Sequence, residues 1–244
     1  MSASSVSIHP DPLGHALLDY HHGQTDAALT VFSDVAEEEP LPAAYFFRSF
    51  WEMPELERQA LELCQGRVLD LGAGAGCHAL ELQNRGFEVK AIDASAGAVQ
   101  VMQARGVRQV AHHSLLDAAL IHQKYDTLLM LMNGLGLVGT LDGLVVFLRH
   151  AHQLLAPGGQ ILATSSDISY LYEDEDGALV FDLNGPYHGE VTYTMQYGAE
   201  QGAPFHWLFA DASILQDYAE EAGYEVDFLG KDDQQQYLVR LTLR

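Results

Sequence analysis

The chain has 244 residues, 48% hydrophobic and 19% charged, enough to bury a full core in one domain plus an appendage or in two small ones. Lys and Arg total 12 against 34 Asp and Glu, a formal net charge of −22, so a phosphate backbone is repelled at long range and nucleic acid is not the expected partner. No stretch approaches the roughly 18 apolar residues of a membrane span, the N-terminus lacks the regions of a secretory signal, and Cys64 and Cys77 belong to no CxxC pair, so a reducing cytoplasmic setting without a metal is expected.

In chain order, residues 1–60 read as an N-terminal helical cap. Four prolines surround a short amphipathic stretch, Leu13–Tyr20, and a longer helix pattern follows over Pro54–Cys64 with Leu56, Ala60, Leu61 and Leu63 on one side. The acid runs Asp34–Glu39 and Glu173–Asp176 read as solvated loops. Strands and helices then alternate. Arg67–Leu71 is a strand, Cys77–Arg85 a helix and Phe87–Ile92 a strand. Ser95 caps a helix to about Ala104. Val107–His113 is a weaker strand. Asp126–Met132 is a continuous apolar run, as expected of a strand buried on both faces. Leu141–Leu155 is helical, and Gln160–Ser165 is the next strand.

Such alternation predicts a parallel sheet with right-handed crossovers. The tail differs: helix Ser213–Ala222 leads to strands Tyr224–Leu229 and Tyr237–Leu243, a hairpin that makes one edge strand antiparallel. Residues 168–210 are too long and aromatic for a plain connection. There, Glu190–Tyr197 alternates as a strand with Phe205–Phe209 as its candidate partner, an inserted hairpin or lid.

The strongest signal is Asp70-Leu71-Gly72-Ala73-Gly74-Ala75-Gly76. A loop leaving a buried strand and entering a helix turns sharply, and its backbone must approach a ligand without side chains in the way. Asp70 offers an acceptor for a ligand ammonium group. Asp93, at the end of the next strand, is placed to accept both hydroxyls of a ribose.

These residues resemble the class I S-adenosylmethionine-dependent methyltransferases. Their acidic residue and GxGxG motif match Asp70–Gly76, their second-strand acid matches Asp93, and their fourth-strand segment is similar to Tyr125–Asn133. Their loop before the fifth strand is similar to Leu155–Gly159. A narrower resemblance is to bacterial methyltransferase-like proteins with a segment like Tyr45–Pro54. The resemblance implies a three-layer α/β sandwich, Rossmann-like, with a seven-stranded, mostly parallel sheet in the order 3-2-1-4-5-7-6 and strand 7 antiparallel. The resemblance covers Leu61–Ser165 and, less closely, the tail, with residues 1–60 and 168–210 outside the common core; it implies a cofactor-binding domain over residues 61–244 with 168–210 inserted, S-adenosylmethionine as donor and S-adenosylhomocysteine as product. The implied cofactor contacts are Asp70, Gly72, Ala73, Gly74, Gly76, Asp93, Ala94, Ser114, Leu115 and Asn133. Where the family often places an acid to read adenine, this chain has Ser114, with Asp117 as the alternative. Gly74–Ala79 also satisfies the dinucleotide pattern GxGxxA, but Asp70 would crowd a pyrophosphate with like charge.

A methyl transfer is an in-line displacement to which alignment can supply roughly 7–11 kcal/mol, so a dedicated base is optional. His78 faces the cofactor end or simply packs and caps; the adjacent pairs His21-His22 and His112-His113 read as ordinary histidines. Asn133 orients an acceptor or serves as a turn residue. Arg48 pairs with a carboxylate of cofactor or substrate, or makes a surface ion pair. The run Tyr45, Phe46, Phe47, Phe50 and Trp51 is a staple to the core or a lid, and Tyr187, His188 and Trp207 are further lid candidates. A small-molecule acceptor leads. A protein acceptor and a non-catalytic cofactor-binding role remain as alternatives, and oligomeric state is not legible.

Overall fold

A computed structural model describes residues 10–174, 176, 178–181 and 184–244. The expected cap and insertion extend beyond these at residues 1–9, 175, 177, 182 and 183, and the second acid run does so at Glu175. The elements are α1 (Pro12–His21), β1 (Ala28–Ser33), β2 (Glu39–Pro42), α2 (Glu55–Leu63), β3 (Arg67–Leu71), α3 (Cys77–Asn84), β4 (Glu88–Asp93), α4 (Ala96–Ala104), β5 (Gln109–His112), β6 (Tyr125–Met130), α5 (Leu141–Leu154) and β7 (Leu155–Ser166). They continue with β8 (Glu190–Tyr197), β9 (Glu200–Gln201), β10 (Phe205–Leu208), α6 (Ala212–Glu221), β11 (Tyr224–Lys231) and β12 (Gln236–Leu243).

The main sheet runs β11-β12-β7-β6-β3-β4-β5. Strands β3 to β7 pair in parallel, whereas β12 is antiparallel to both neighbours. This is the expected seven-strand order. As that order implies, the antiparallel strand β12 lies one place inside the edge, between β7 and β11, so the edge strand itself is not the antiparallel one that the hairpin alone suggests.

Period-two alternation divides the core. Leu69, Leu71, Leu128, Met130, Ile161, Val239 and Leu241 face α5 and α6. Val68, Val89, Leu129, Leu162 and Leu238 face α2, α3 and α4. Helices on both faces explain the unbroken apolar runs. Strand β6 stops at Met130, two residues before the predicted end, because Met132 and Asn133 take left-handed backbone (φ 60° and 56°).

The N-terminal segment departs from the helical expectation. Among the described residues only α1 is a full helical element before α2; β1 and β2 form strands. Both join β8 and β10 in a second sheet ordered β10-β8-β1-β2, with β9 on β8. Val31 pairs with Met195 and with Glu39, so residues from the start of the chain and from the 168–210 segment build one surface. Asp11 ties α1 down. One oxygen accepts the Gly14 N–H at 2.9 Å, and the other accepts the Ser95 hydroxyl at 2.9 Å and the Gly97 N–H at 3.0 Å. Gly97 is required there, since a Cβ would overlap the Gly14 backbone.

Candidate active site

The carboxyl ends of β3, β4 and β6 border a cavity of about 480 Å³, at the place where open α/β sheets bind ligands. Its floor is the glycine loop. Gly72 and Gly74 have φ of 70° and 56°. A Cβ on Gly72 would come within 2.6 Å of Leu137, and one on Gly74 within 3.0 Å of Phe46. The loop therefore lets a ligand lie against bare backbone.

Two carboxylates stand above it in different states. Asp93 Oδ2 accepts the Gly74 N–H and Oδ1 the Ser95 N–H, both at 2.8 Å, which fixes the group while leaving lone pairs for a diol. Asp70 is 2% exposed, and its Oδ2 has no hydrogen-bond partner among the described residues. Burial pushes Asp70 up to about 6, with His78 opposing the effect and Asp93 adding to it. A buried, unpartnered carboxylate oxygen in a ligand-sized cavity suits an incoming cation such as an ammonium.

Of the residues expected to hold the donor, Asp70, Gly72, Ala73, Gly74, Asp93, Ala94, Leu115 and Asn133 line this cavity. Gly76 and Ser114 do not. Gly76 (φ 80°) instead starts α3, where a Cβ would press on Met102 at 2.9 Å. At the predicted adenine position, His113 and Leu115 face the cavity. Asp117 accepts His113 Nδ1 at 2.6 Å and the Ala119 N–H at 2.9 Å, so it holds His113 from outside the cavity.

The substrate candidates divide. Tyr45 and Trp207 line the cavity, and the Trp207 indole packs where a Cβ on Gly136 would overlap it. Asn133 serves both of its readings. It takes the left-handed turn, its amide oxygen accepts the Ser166 hydroxyl at 2.8 Å, and it borders the cavity. Arg48 is neither a ligand arm nor a surface pair. Its Nη2 meets both Glu57 oxygens at 2.9 and 2.8 Å with little side-chain exposure, and its guanidinium lies 3.7 Å from the Tyr45 ring centroid. Tyr187 donates to Asp211 Oδ2 at 2.7 Å and accepts the Asp211 N–H at 2.9 Å, bracing the cap of α6 away from the cavity. His188 stacks on Phe181 and also lies outside it. In the aromatic run, Phe46, Phe47 and Phe50 pack onto the core, whereas Trp51 is 80% exposed and lies outside it.

The sequence reading missed Glu57. This side chain is 1% exposed, and its Oε2 lies 2.7 Å from His78 Nε2. Its signal was present in the helix, since Glu57 precedes Ala60 and Leu61 by three and four residues and so shares their buried face. Tyr193, Met195, Phe205 and Phe209 of the second sheet and its flank were also not singled out, and they wall the cavity opposite the glycines.

A second, outer chamber of about 950 Å³ adjoins the first; Val31, Glu39, Leu41, Asn133, Tyr193, Phe209 and Gln236 line both. Glu37, Asp167, Glu173 and Asp233 add carboxylates to its wall, which carries no Lys, Arg or His among the described residues. The two acid runs thus contribute to a chamber rim and are not merely solvated loops. Burial pushes Tyr193 up to about 12, with Glu39 and Asp34 contributing, so its hydroxyl keeps its proton. Among the described residues no group of three or more His, Cys, Asp or Glu could hold a metal ion, and no helix is long and apolar enough to cross a membrane.

Comparison with known proteins agrees with this geometry. A family profile described as "Methyltransferase domain" matches residues 44–228. A SAM-dependent methyltransferase from Bacteroides fragilis, crystallised with S-adenosyl-L-homocysteine, is 44% identical. The match covers 96% of this chain and 95% of that one, with a TM-score of 0.90. Two more distant structures share the fold. The CcbJ methyltransferase of Streptomyces caelestis is 16% identical with a TM-score of 0.58, covering 81% of this chain and 99% of that one. The sugar N-methyltransferase KedS8 of a Streptoalloteichus species is 14% identical with a TM-score of 0.56, covering 100% and 99%. No curated protein matches the sequence. The glycine loop under a ligand-sized cavity, the free carboxylate oxygen of Asp70 and these likenesses set the dinucleotide reading aside: the chain belongs to the S-adenosylmethionine-dependent methyltransferases, with S-adenosylmethionine as its methyl donor.

Proposed function

We propose that the enzyme methylates a small molecule held in the outer chamber. The observation that carries this reading is the chamber itself, a space of about 950 Å³ that opens onto the donor cavity past Asn133 and Tyr193. That volume suits a small organic ligand. Its rim of carboxylates without a cationic side chain among the described residues favours an acceptor that is neutral or positively charged over a carboxylate or phosphate.

The bound donor supplies an activated methyl group on a sulfonium. The chain's part is to orient. The glycine loop and Asp93 take the ribose side, Asp70 takes the ammonium, and Leu115 and His113 border the base. The aromatic wall of Tyr193, Phe205, Trp207 and Phe209 excludes water and aligns the acceptor. In this reading residues 28–42 and 190–208 form one acceptor-side cover over the domain that begins near residue 61, and the protein works in the cytoplasm on a free metabolite.

Transfer of labelled methyl from S-adenosylmethionine into a native metabolite extract, with mass-spectrometric identification of the product, tests this. A labelled low-molecular-mass product is expected. Label in protein alone would favour the protein acceptor, and cofactor binding without any transfer would favour a non-catalytic role.

A further inference from the structure

The donor's amino-acid end is a zwitterion, and Asp70 answers only its ammonium. The carboxylate needs a positive or hydrogen-bond-donating partner. Among the described residues no Lys or Arg lines the donor cavity; the side chains there that can carry positive charge are His78 and His113. His113 lies beyond β5, two strands from Asp70, and its Nδ1 is committed to Asp117. His78 stands in the first turn of α3, directly after the glycine loop and close enough to Asp70 to favour its ionised form.

We propose that His78 is the carboxylate-binding residue for the methyl donor, and that Glu57 and Arg48 are positioning residues that hold it as a cation. This rests on the donor reading above. The three groups form a buried chain in which Arg48 and Glu57 cancel one another, and His78 Nε2 sits on Glu57 Oε2 at 2.7 Å. With His78 protonated the chain carries one net positive charge. Asp70 carries one negative charge on the same cavity, so the pair matches both ends of the zwitterion in sign. Burial works against a charged imidazole, but Cys77 and Glu57 outweigh it and hold His78 well above the ordinary histidine value. The first-turn position adds the partial positive charge of the helix end.

This arrangement also accounts for Arg48. Its guanidinium reaches the ligand only through Glu57 and His78, while its Nε donates to the Tyr45 carbonyl at 2.8 Å and places the Tyr45 ring at the cavity wall.

The test is a binding cycle by calorimetry on the full chain, using three ligands: S-adenosylhomocysteine, its decarboxylated analogue that keeps the ammonium, and 5′-methylthioadenosine, which lacks both charges. The wild type should bind S-adenosylhomocysteine about 10–100-fold more tightly than the decarboxylated analogue. His78→Ala and Glu57→Gln should erase most of that ratio while leaving 5′-methylthioadenosine affinity within about threefold. A wild type that binds S-adenosylhomocysteine and its decarboxylated analogue equally would overturn the proposal without needing any variant. Equal losses for all three ligands in His78→Ala would likewise assign His78 a purely structural role. Absence of S-adenosylhomocysteine binding to the wild type would instead remove the donor reading itself.

Discussion

Glu57 Oε2 and His78 Nε2 meet at 2.7 Å in a place where the two residues are 1% and 4% exposed, so helix α2 and the helix behind the glycine loop are joined by a charge pair almost without water. Arg48 completes it from the other side. Pairs of this kind contribute little net stability relative to an apolar replacement, but removing one partner strands the other charge. Glu57→Ala should therefore destabilise the fold by about 3–5 kcal/mol in urea unfolding. A loss under about 1 kcal/mol would mean that water reaches the cluster.

The same pair sets a pH window. Burial raises Glu57, but His78 and Arg48 outweigh it and hold the group below its ordinary 4.5, so its contribution is present above that value and lost as pH falls through the depressed one. His78 is raised above its ordinary 6.5, so its contribution is complete below 6.5 and lost as pH rises through the raised value. The stability difference between wild type and Glu57→Gln should be greatest between about pH 4.5 and 6.5 and should shrink in alkali. A flat difference from about pH 5 to 10 would show that His78 is neutral throughout.

Asp70 works in the opposite sense to Glu57. Burial raises it to about 6 in the folded protein against an ordinary 3.8, so the folded state binds its proton more strongly than the unfolded chain. Stability then falls as pH rises between these values, by about 3 kcal/mol in all. Asp70→Asn should make the ligand-free protein more stable than wild type at about pH 7.5, by about 1–3 kcal/mol, while weakening S-adenosylhomocysteine binding. An ammonium beside Asp70 favours the carboxylate. Wild-type affinity should therefore decline as pH drops below about 6, approaching tenfold per unit, with protons released on binding. A variant that is both less stable and equally avid would refute the assignment.

Asp93 is built for a different task. With Gly74 and Ser95 each donating at 2.8 Å, the carboxylate is the pin that holds the glycine loop in shape, and in the proposed donor pose it is also the group that meets the ribose. Asp93→Ala removes both roles, and two charge-assisted hydrogen bonds to the ligand amount to about 3–6 kcal/mol. The thermal stabilisation by S-adenosylhomocysteine should all but vanish; an unchanged shift would place the ribose elsewhere.

How far the site could be read in the sequence follows from the range of the contacts involved. The glycine loop, Asp70 and Asp93 lie within one βαβ unit, where spacing alone dictates position. The alternation of strands and helices likewise fixed β3 to β7. The second sheet was half hidden, because β1 pairs with β8 from far along the chain and a four-residue strand beginning Glu39-Pro40 has no strand-like composition. For Arg48 the sequence shows that a carboxylate partner is needed but not which one, because Glu57 lies in a helix whose pattern is dominated by its leucines. Tyr187 is a lid candidate by its place in the 168–210 insertion, but its hydroxyl is taken up by Asp211, a pairing that no spacing announces.

Trp207 offers a direct view of the wall of the donor cavity, through its contact with Gly136. The indole occupies the space a Cβ would need, so Gly136→Ala forces strand β10 or the 134–138 turn to shift. Overpacking of this kind costs about 1–3 kcal/mol. The chain has two tryptophans, and Trp51 is 80% exposed, so a Trp51→Phe background leaves Trp207 as the sole indole reporter. In that background S-adenosylhomocysteine should change the emission, because Trp207 lines the donor cavity. Adding Gly136→Ala should red-shift the ligand-free spectrum and diminish the response, since the indole moves off the turn toward water. Emission that ignores both the ligand and the added methyl would remove Trp207 from the cavity wall, and with it the case for β10 as part of the acceptor surface.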